Sequence, residues 1–191
     1  MPITIHVYTS DQVTVADFGA VGDGATDDSS SIQAAVDAGT GEVVLQAGKV
    51  YRISTAIEIE NASNFALVGN GSTIKFDDSV GSSVAVGRCL WVDNCTDANF
   101  SNLILDGNRD GRLAGATLPG QASSPVIHIR DGERIKLESV TVQNSINDGI
   151  YIATSDPTDA AKFPKDVALI DCHAINCRRQ GVSIIDSRQL T

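Results

Sequence analysis

The stretch 148-DGIYIATS-155 returns, altered, as 180-QGVSIIDS-187. Both run polar residue, Gly, β-branched residue, variable residue, Ile. The same apolar-x-apolar triplet occurs at Ile57-Glu58-Ile59, Leu90-Trp91-Val92, Ile127-His128-Ile129, Ile150-Tyr151-Ile152 and Val182-Ser183-Ile184. Eight residues beyond the start of four of these triplets stand Phe65, Ala98, Ile135 and Leu190. The triplet at Ile150 breaks the step, because 154-TSDPTDAAKFPK-165 intervenes before Val167, which reads as a loop inserted at a turn. A second register agrees. Asn144 precedes Gly149 by five residues, and Asn176 precedes Gly181 by five. Repeats of this kind, with short strands punctuated by Gly, Asn and Asp, predict a β-solenoid in which each triplet lies on the one before it. Side chains alternate along a strand, so the apolar members fill a narrow core and the variable member faces outward. Asn144 and Asn176 then share a corner and can hydrogen-bond each other as a ladder. A β-sandwich with coincident spacing is the competing reading.

Composition fits a solenoid. Of 191 residues 42% are apolar but only 5% aromatic, so Val, Ile, Leu and Ala must build the core. The formal net charge of -10 argues against a nucleic-acid or anionic-membrane partner. It leaves room for a basic cleft that takes an acidic polysaccharide. Cys89, Cys95, Cys172 and Cys177 contain no CxxC spacing, which argues against zinc and for buried thiols, with disulfides an option in an exported protein. The opening MPITIHVYTSDQ shows no signal peptide, and no apolar run is long enough to span a bilayer.

One amphipathic helix is expected within 26-TDDSSSIQAAVDAG-39, capped by Asp27 or Asp28, with Ile32, Ala35 and Val36 on one face and Gly39 and Gly41 stopping it. No second helix is evident. The surrounding segment 15-VADFGAVGDGATDDSSSIQAAVDA-38 closely resembles the entry motif of the pectate-lyase-like superfamily. That superfamily includes polysaccharide lyases, polygalacturonase-like hydrolases, alginate epimerases and phage tailspikes. The resemblance implies an all-β, right-handed parallel β-helix with a short N-terminal capping α-helix. It makes Asp23, Asp27 and Asp28 structural, and residues 43-VVLQAGKVYRIS-54 a first strand pair. The expected organisation is a lead segment at 1–14, a capping motif at 15–41 and coils over 42–191. The stretch 103-LILDGNRDG-111 is similar to alginate C5-epimerase catalytic modules. Those modules carry Asp-Pro-His just past a Gly in the coil equivalent to 149–155, and the Asp and His are absent from this stretch here. Some lyases of the superfamily use Ca²⁺, which the resemblance carries over as an option. No acidic cluster in the sequence demands one, and no metal ligands are assigned.

The outward positions carry the candidate chemistry. In stacking order they are Glu58, Trp91, His128, Tyr151 and Ser183, with Glu60, Asp93, Arg130 and Ala153 two residues on. Trp91 offers a flat face for a pyranose, and Arg130 can neutralise a uronate carboxylate. Either His128 or Tyr151 then serves as base and the other as acid to the leaving oxygen in β-elimination. Asp93, Asp106 and Asp148 complete the substrate-binding set, and with Asp110 they are the carboxylates available to a hydrolase, which needs a facing pair. Structural alternatives stand beside each. Trp91 can pack under 109–124, Arg130 can pair with Asp93 or Glu133, and Asp106 and Asp148 can be turn residues. His173 faces outward without an evident partner, and Arg178-Arg179 reads as a solvated corner. The loops at 106–125 and 154–165 flank the triplet face.

The chain ends at 182-VSIIDSRQLT-191 without a closing element, which predicts continuation in a longer chain or cover by an oligomer, a homotrimer in the tailspike case. The function expected is cleavage or modification of a uronate-containing glycan, lyase chemistry ahead of hydrolysis. A tailspike-like or adhesin-like glycan-binding module is the alternative, and a bare scaffold a third. Either leading case places the protein outside the cell or on a virion.

Overall fold

Stacked strands, several of them turning at single-residue corners, build most of the described residues. The computed structural model describes residues 12–38, 41–78, 88–112, 124–185 and 188–190. The strands are β1 (Gln12–Thr14), β2 (Asp23–Asp27), β3 (Glu42–Val44), β4 (Val50–Ile53), β5 (Ile57–Glu60), β6 (Ala66–Phe76), β7 (Leu90–Asp93), β8 (Thr96–Asp106), β9 (Ile127–Arg130), β10 (Glu133–Gln143), β11 (Ile150–Ala153), β12 (Lys165–Ile170), β13 (His173–Ile175), β14 (Val182–Ile184) and β15 (Arg188–Leu190). All pairings among them are parallel. One sheet is β5-β7-β9-β11-β14, made of the triplets. The other runs β1-β3-β6-β8-β10-β12-β15, with β2-β4 joining β6 and β13 joining β10.

The register is the one the repeats dictate. Ile150 pairs with Ile127 and with Val182, and Leu90 pairs with Ile57 and with Ile127. Ile135 lies opposite Ala98, and Val167 opposite Leu190. Glu133 opposite Lys165 puts Val167 on Ile135, so the inserted loop leaves the stack undisturbed. Within it only a short 3-10 turn forms, Ala160–Lys162, capped by Asp159 accepting from Ala161 N at 2.9 Å. The inward triplet members from Ile57 to Ile152 are at most 1% exposed. Burial of each such side chain is worth about 1.5–3 kcal/mol.

Corners explain the Asn and Asp content. Asn61, Asn94 and Asp131 occupy one stacked corner with φ of 56°, 50° and 53°. Asn70, Asn102 and Ser139 bend β6, β8 and β10 with φ of 51°, 50° and 55°. Asn and Asp tolerate this left-handed region best among residues with a side chain, so each coil turns on single residues. Copies then bond across coils: Asn94 Nδ2 donates to Asn61 Oδ1 at 2.7 Å, and Asn176 Nδ2 to Asn144 Oδ1 at 2.8 Å, the ladder the sequence predicted.

Helix α1 covers Ser29–Asp37, with Ile32 and Ala35 buried and Val36 partly so. The two candidate caps divide the work. Asp27 accepts from Ser29 N at 3.0 Å, while Asp28 turns away to hold Val21 N and Gly22 N at 2.7 and 3.0 Å. Gly39 lies outside the described residues. Three details differ from the sequence reading or add to it. First, β3 and β4 are not paired with each other: they lie end to end along one coil and each pairs with strands of neighbouring coils. Second, a one-turn helix, α2 (Arg109–Arg112), was not foreseen, because it is too short for a periodic signal. Third, the last residues of the lead segment are part of the fold, since β1 pairs with β3. All four cysteines are free, Cys89 and Cys95 buried and the other two partly so, and burial pushes their thiols up. Among the described residues no helix is long and apolar enough to cross a membrane.

Candidate functional site

Strand pairing places Glu58, Trp91, His128, Tyr151 and Ser183 in one outward row, and Glu60, Asp93, Arg130 and Ala153 in the next. Both rows are those read from the sequence. Neighbouring coils are about 4.8 Å apart, so the rings meet. Trp91 and His128 pack edge to face with centroids 4.6 Å apart, and His128 and Tyr151 do the same at 4.9 Å. Each such pair adds about 0.5–1.5 kcal/mol beyond area burial.

The indole is more occupied than a sugar platform would be. The Arg88 guanidinium carbon lies 4.4 Å from the ring centroid, and that of Arg130 lies 4.5 Å from it. Trp91 Nε1 donates to Glu60 Oε1 at 2.9 Å. Arg130 is bidentate on Asp93, with Nε donating to Oδ1 at 2.7 Å and Nη2 to the other oxygen. Asp93 therefore anchors Arg130, and Arg130 in turn sits on Trp91.

His128 is buried, at 9% exposure, and both ring nitrogens are shut off from solvent without a hydrogen-bond partner. Burial lowers its pKa to about 4, and the charges of Arg88 and Arg130 act the same way against weaker pulls from Asp93 and Asp131. In the unfolded chain the group titrates near its ordinary 6.5. The unfolded state therefore binds the extra proton as the pH falls from 6.5 to about 4, and stability drops over that window by about 3 kcal/mol. Above pH 6.5 this group contributes no slope. We expect urea unfolding of the wild type to lose that much more stability between pH 7 and pH 4 than His128→Phe, which keeps a ring in the stack. Equal losses in the two proteins would refute the assignment.

A cleft of about 520 Å³ opens over the row. Arg88, Trp91, His128, Arg130 and Tyr151 line it together with Asn147, Asp148, Thr154, Ser155 and Arg179. Asp148 is buried, accepting from Gln180 N at 3.1 Å with Arg179 Nε 3.6 Å from the same oxygen. Five predicted residues thus come together: Trp91, His128, Arg130, Tyr151 and Asp148. Asp93 stands behind Arg130. Asp106 lies elsewhere, its carboxylate taken up by Gln143 Nε2 at 2.8 Å, Asn144 Nδ2 at 3.1 Å and Asn108 N at 2.7 Å. It acts as a bracket that extends the Asn144 ladder and does not line this cleft. Asp110 pairs with Arg109 on the surface.

Sequence reasoning missed Arg88, Asn147 and Arg179. Arg88 precedes its triplet and follows no repeat. Arg179 had a usable signal: Gly181 stacks on Gly149, so two residues earlier Arg179 stacks on Asn147, and its N–H donates to Asn147 O at 3.1 Å. A larger trough of about 1080 Å³ is lined by residues of α1 and β5, which Gln33 joins through hydrogen bonds to the Glu58 backbone. It is lined by Asp27, Asp37, Glu58 and Glu60 and by no cation, so it repels an acidic glycan. Among the described residues no three or more of His, Cys, Asp and Glu group to hold a metal ion.

The profile of the family described as "Rhamnogalacturonase A/epimerase, pectate lyase-like" matches residues 12–189. Mannuronan C5-epimerase AlgE3 of Azotobacter vinelandii is 39% identical over 126 residues, which is 56% of this chain and 7% of that protein. Alginate lyase 7 of the same organism is 29% identical over 203 residues, covering 92% of this chain and 24% of the lyase. Among solved structures, pre-mature bacteriophage phi29 gene product 12 aligns with a TM-score of 0.76 and 22% identity over 93% of this chain and 24% of that one. The chain thus spans under a quarter of the length of these relatives. The neighbours are right-handed β-helices, and so is this chain.

Proposed function

We propose, since this chain belongs to the rhamnogalacturonase A/epimerase, pectate lyase-like family, that it acts on a uronate-containing polysaccharide by β-elimination at the triplet face. The observation that carries this reading is the cleft itself. A chain of net charge -10 gathers Arg88, Arg130 and Arg179 around one tyrosine. Three guanidinium groups concentrated on one side of an acidic protein suit a polyanion with spaced carboxylates. A bound uronate carboxylate beside a guanidinium acidifies the adjacent carbon.

Tyr151 is the group that meets the reacting atoms. Its oxygen, acting as the base, takes the proton from C5. The C5–H electron pair becomes the C4–C5 double bond, and the C4–O4 pair leaves with the glycosidic oxygen. The phenol then returns its proton to that oxygen. His128 lies beneath the cleft surface with closed-off nitrogens, so it is a positioning residue that fixes the ring edges on either side, rather than the base expected from its residue type. Arg130, held by Asp93, fixes Trp91 in the same way.

The relatives named mannuronan epimerase and alginate lyase support a uronan substrate, and an extracellular or virion-borne setting follows from a substrate of that size. A second reading, a glycan-binding module without activity, draws on one observation: the enclosed state of His128. The test is incubation of the chain with mannuronan, guluronan, galacturonan and rhamnogalacturonan, following ultraviolet absorbance of the conjugated product and reducing ends together. A rise in both is expected on at least one polymer. Reducing ends alone would mean hydrolysis, and silence on all four would leave binding as the function.

A further inference from the structure

The three guanidinium groups of the cleft differ in what already engages them. Arg130 is bidentate on Asp93 and lies over Trp91. Arg88 lies over the same indole and has a further contact beyond it. Arg179 is held otherwise. Among the described residues its guanidinium has one neighbour of opposite charge, Asp148, with Nε 3.6 Å from Oδ1. That is longer than an N–H···O hydrogen bond, which falls at about 2.7–3.2 Å. The same oxygen already accepts from Gln180 N at 3.1 Å. Asp148 is 1% exposed, whereas the Arg179 side chain is 47% exposed. The buried carboxylate therefore steers the guanidinium by charge and leaves its N–H donors unspent. Asn147 stands next to it on the preceding coil, where its backbone oxygen accepts from Arg179 N at 3.1 Å. The Asn147 side chain lines the cleft, is 2% exposed, and has no hydrogen-bond partner for Oδ1. A buried polar atom left without a partner is rare in a folded protein, and here it borders a cleft from which a ligand can supply one.

Given the proposed action on uronates, we propose that Arg179 and Asn147 form a second sugar subsite, which takes the uronate next to the one that Tyr151 meets: Arg179 binds its carboxylate, and Asn147 one of its hydroxyls. The coil register gives the place. Ser183 stacks on Tyr151, and Arg179 precedes Ser183 on that coil. The guanidinium thus belongs to the coil after the tyrosine, about 4.8 Å further along the solenoid. That step is of the order of one sugar ring. An unspent guanidinium presents two parallel N–H groups, which fit a carboxylate bidentately. Arg130 can offer the same fork only by giving up Asp93. Asp148 is the positioning residue, since it keeps Arg179 at the cleft without saturating it. The terminal torsion of an Asn is broad, so the unbonded Asn147 amide can turn to an entering hydroxyl. A contact with a sugar that does not react is the same before and in the transition state. It therefore acts on binding and leaves the chemical step alone.

The experiment measures calorimetric binding of mannuronate, guluronate and galacturonate tetramers, and of their methyl esters, to the full chain. It adds KM and kcat on whichever polymer the wild type cleaves. Arg179→Gln should weaken the charged tetramers at least ~10-fold and raise KM by a similar factor. It should leave kcat and the binding of the esters within about twofold, and Arg179→Lys should restore part of the lost affinity. Asn147→Ala should weaken charged and esterified tetramers alike. The loose pair with Asp148 adds little to folding, so the unfolding midpoint of Arg179→Gln should stay near that of the wild type. An unchanged Kd in Arg179→Gln, with wild-type binding present, would overturn the subsite and spare the uronate reading. A fall in kcat at unchanged Kd would put Arg179 at the reacting sugar and overturn the second subsite. Arg179-dependent binding without product from any polymer would keep the subsite and overturn the elimination reading. No binding of any charged tetramer to the wild type would overturn both.

Discussion

We expect Tyr151→Phe to bind uronate tetramers as the wild type does and to form unsaturated product at least about 100-fold more slowly. The size follows from what the hydroxyl does. Positioned proton transfer contributes about 10²–10⁴ to rate, and a single oxygen that both takes and returns the proton has no substitute in the cleft. Asp148 is engaged by Gln180 N and faced by Arg179, and the nitrogens of His128 are closed off. Folding should hardly notice the change. The ring stays edge-on to His128, and loss of the hydroxyl from this half-buried residue is worth within about 0.5 kcal/mol. The measurement is therefore a split: rate lost, unfolding midpoint and tetramer Kd retained. A wild-type rate in Tyr151→Phe would move the proton chemistry off this tyrosine. A parallel loss of binding and stability would make Tyr151 a packing residue of the Trp91–His128 stack.

The outward row was legible in the sequence because it depends on two simple periods. Alternation decides which triplet residues face out, and coil register decides which of them stack. Glu58, Trp91, His128, Tyr151 and Ser183 need nothing else, and the insert before Val167 could be discounted because the apolar step resumes after it. What lies over the row was not legible. Arg88 reaches Trp91 from outside any repeat, and Arg130 reaches it from the next coil, so neither contact leaves a spacing to read. His128 has the residue type of a base. Its closure comes from two neighbouring rings contributed by other coils. Asp106 stands beside a Gly in an epimerase-like stretch, yet Asn144 and Gln143 of the next coil capture it. Patterns that repeat from coil to coil were readable, the Asn144–Asn176 ladder among them, and side-chain contacts that follow no repeat were not. The charge balance shows the same limit. A net charge of -10 describes the whole surface, while three arginines decide the cleft.

Gly149→Ala should destabilise the chain by about 3 kcal/mol or more, the upper end for overpacking a dense site. It should also disable the cleft in whatever fraction remains folded. A methyl group at this position would sit 2.6 Å from Gly181 O, 2.9 Å from Cys177 Sγ and 2.9 Å from a Val142 methyl. The nearest of these is backbone of the next coil and cannot swing aside. The same peptide is pinned on both sides, since Gly149 N donates to Gln180 O at 2.9 Å and Gly149 O accepts from Ile127 N at 3.1 Å. Moving it enough to admit a methyl breaks ladder bonds to the coils above and below. The comparison that isolates this cause is Gly181→Ala. There the added carbon meets only the Ala174 side chain at 2.9 Å, in the last described coil, where neighbouring apolar residues are already exposed. It should cost less than half as much. Thermal and urea unfolding of the pair check the order, and equal costs would show that the solenoid relaxes freely at its coil contacts. The glycine that recurs in 148-DGIYIATS-155 and 180-QGVSIIDS-187 is thus required where one coil's backbone rests on the next. At Gly149 that same contact sets the height of Tyr151, two residues on, against His128 beneath it.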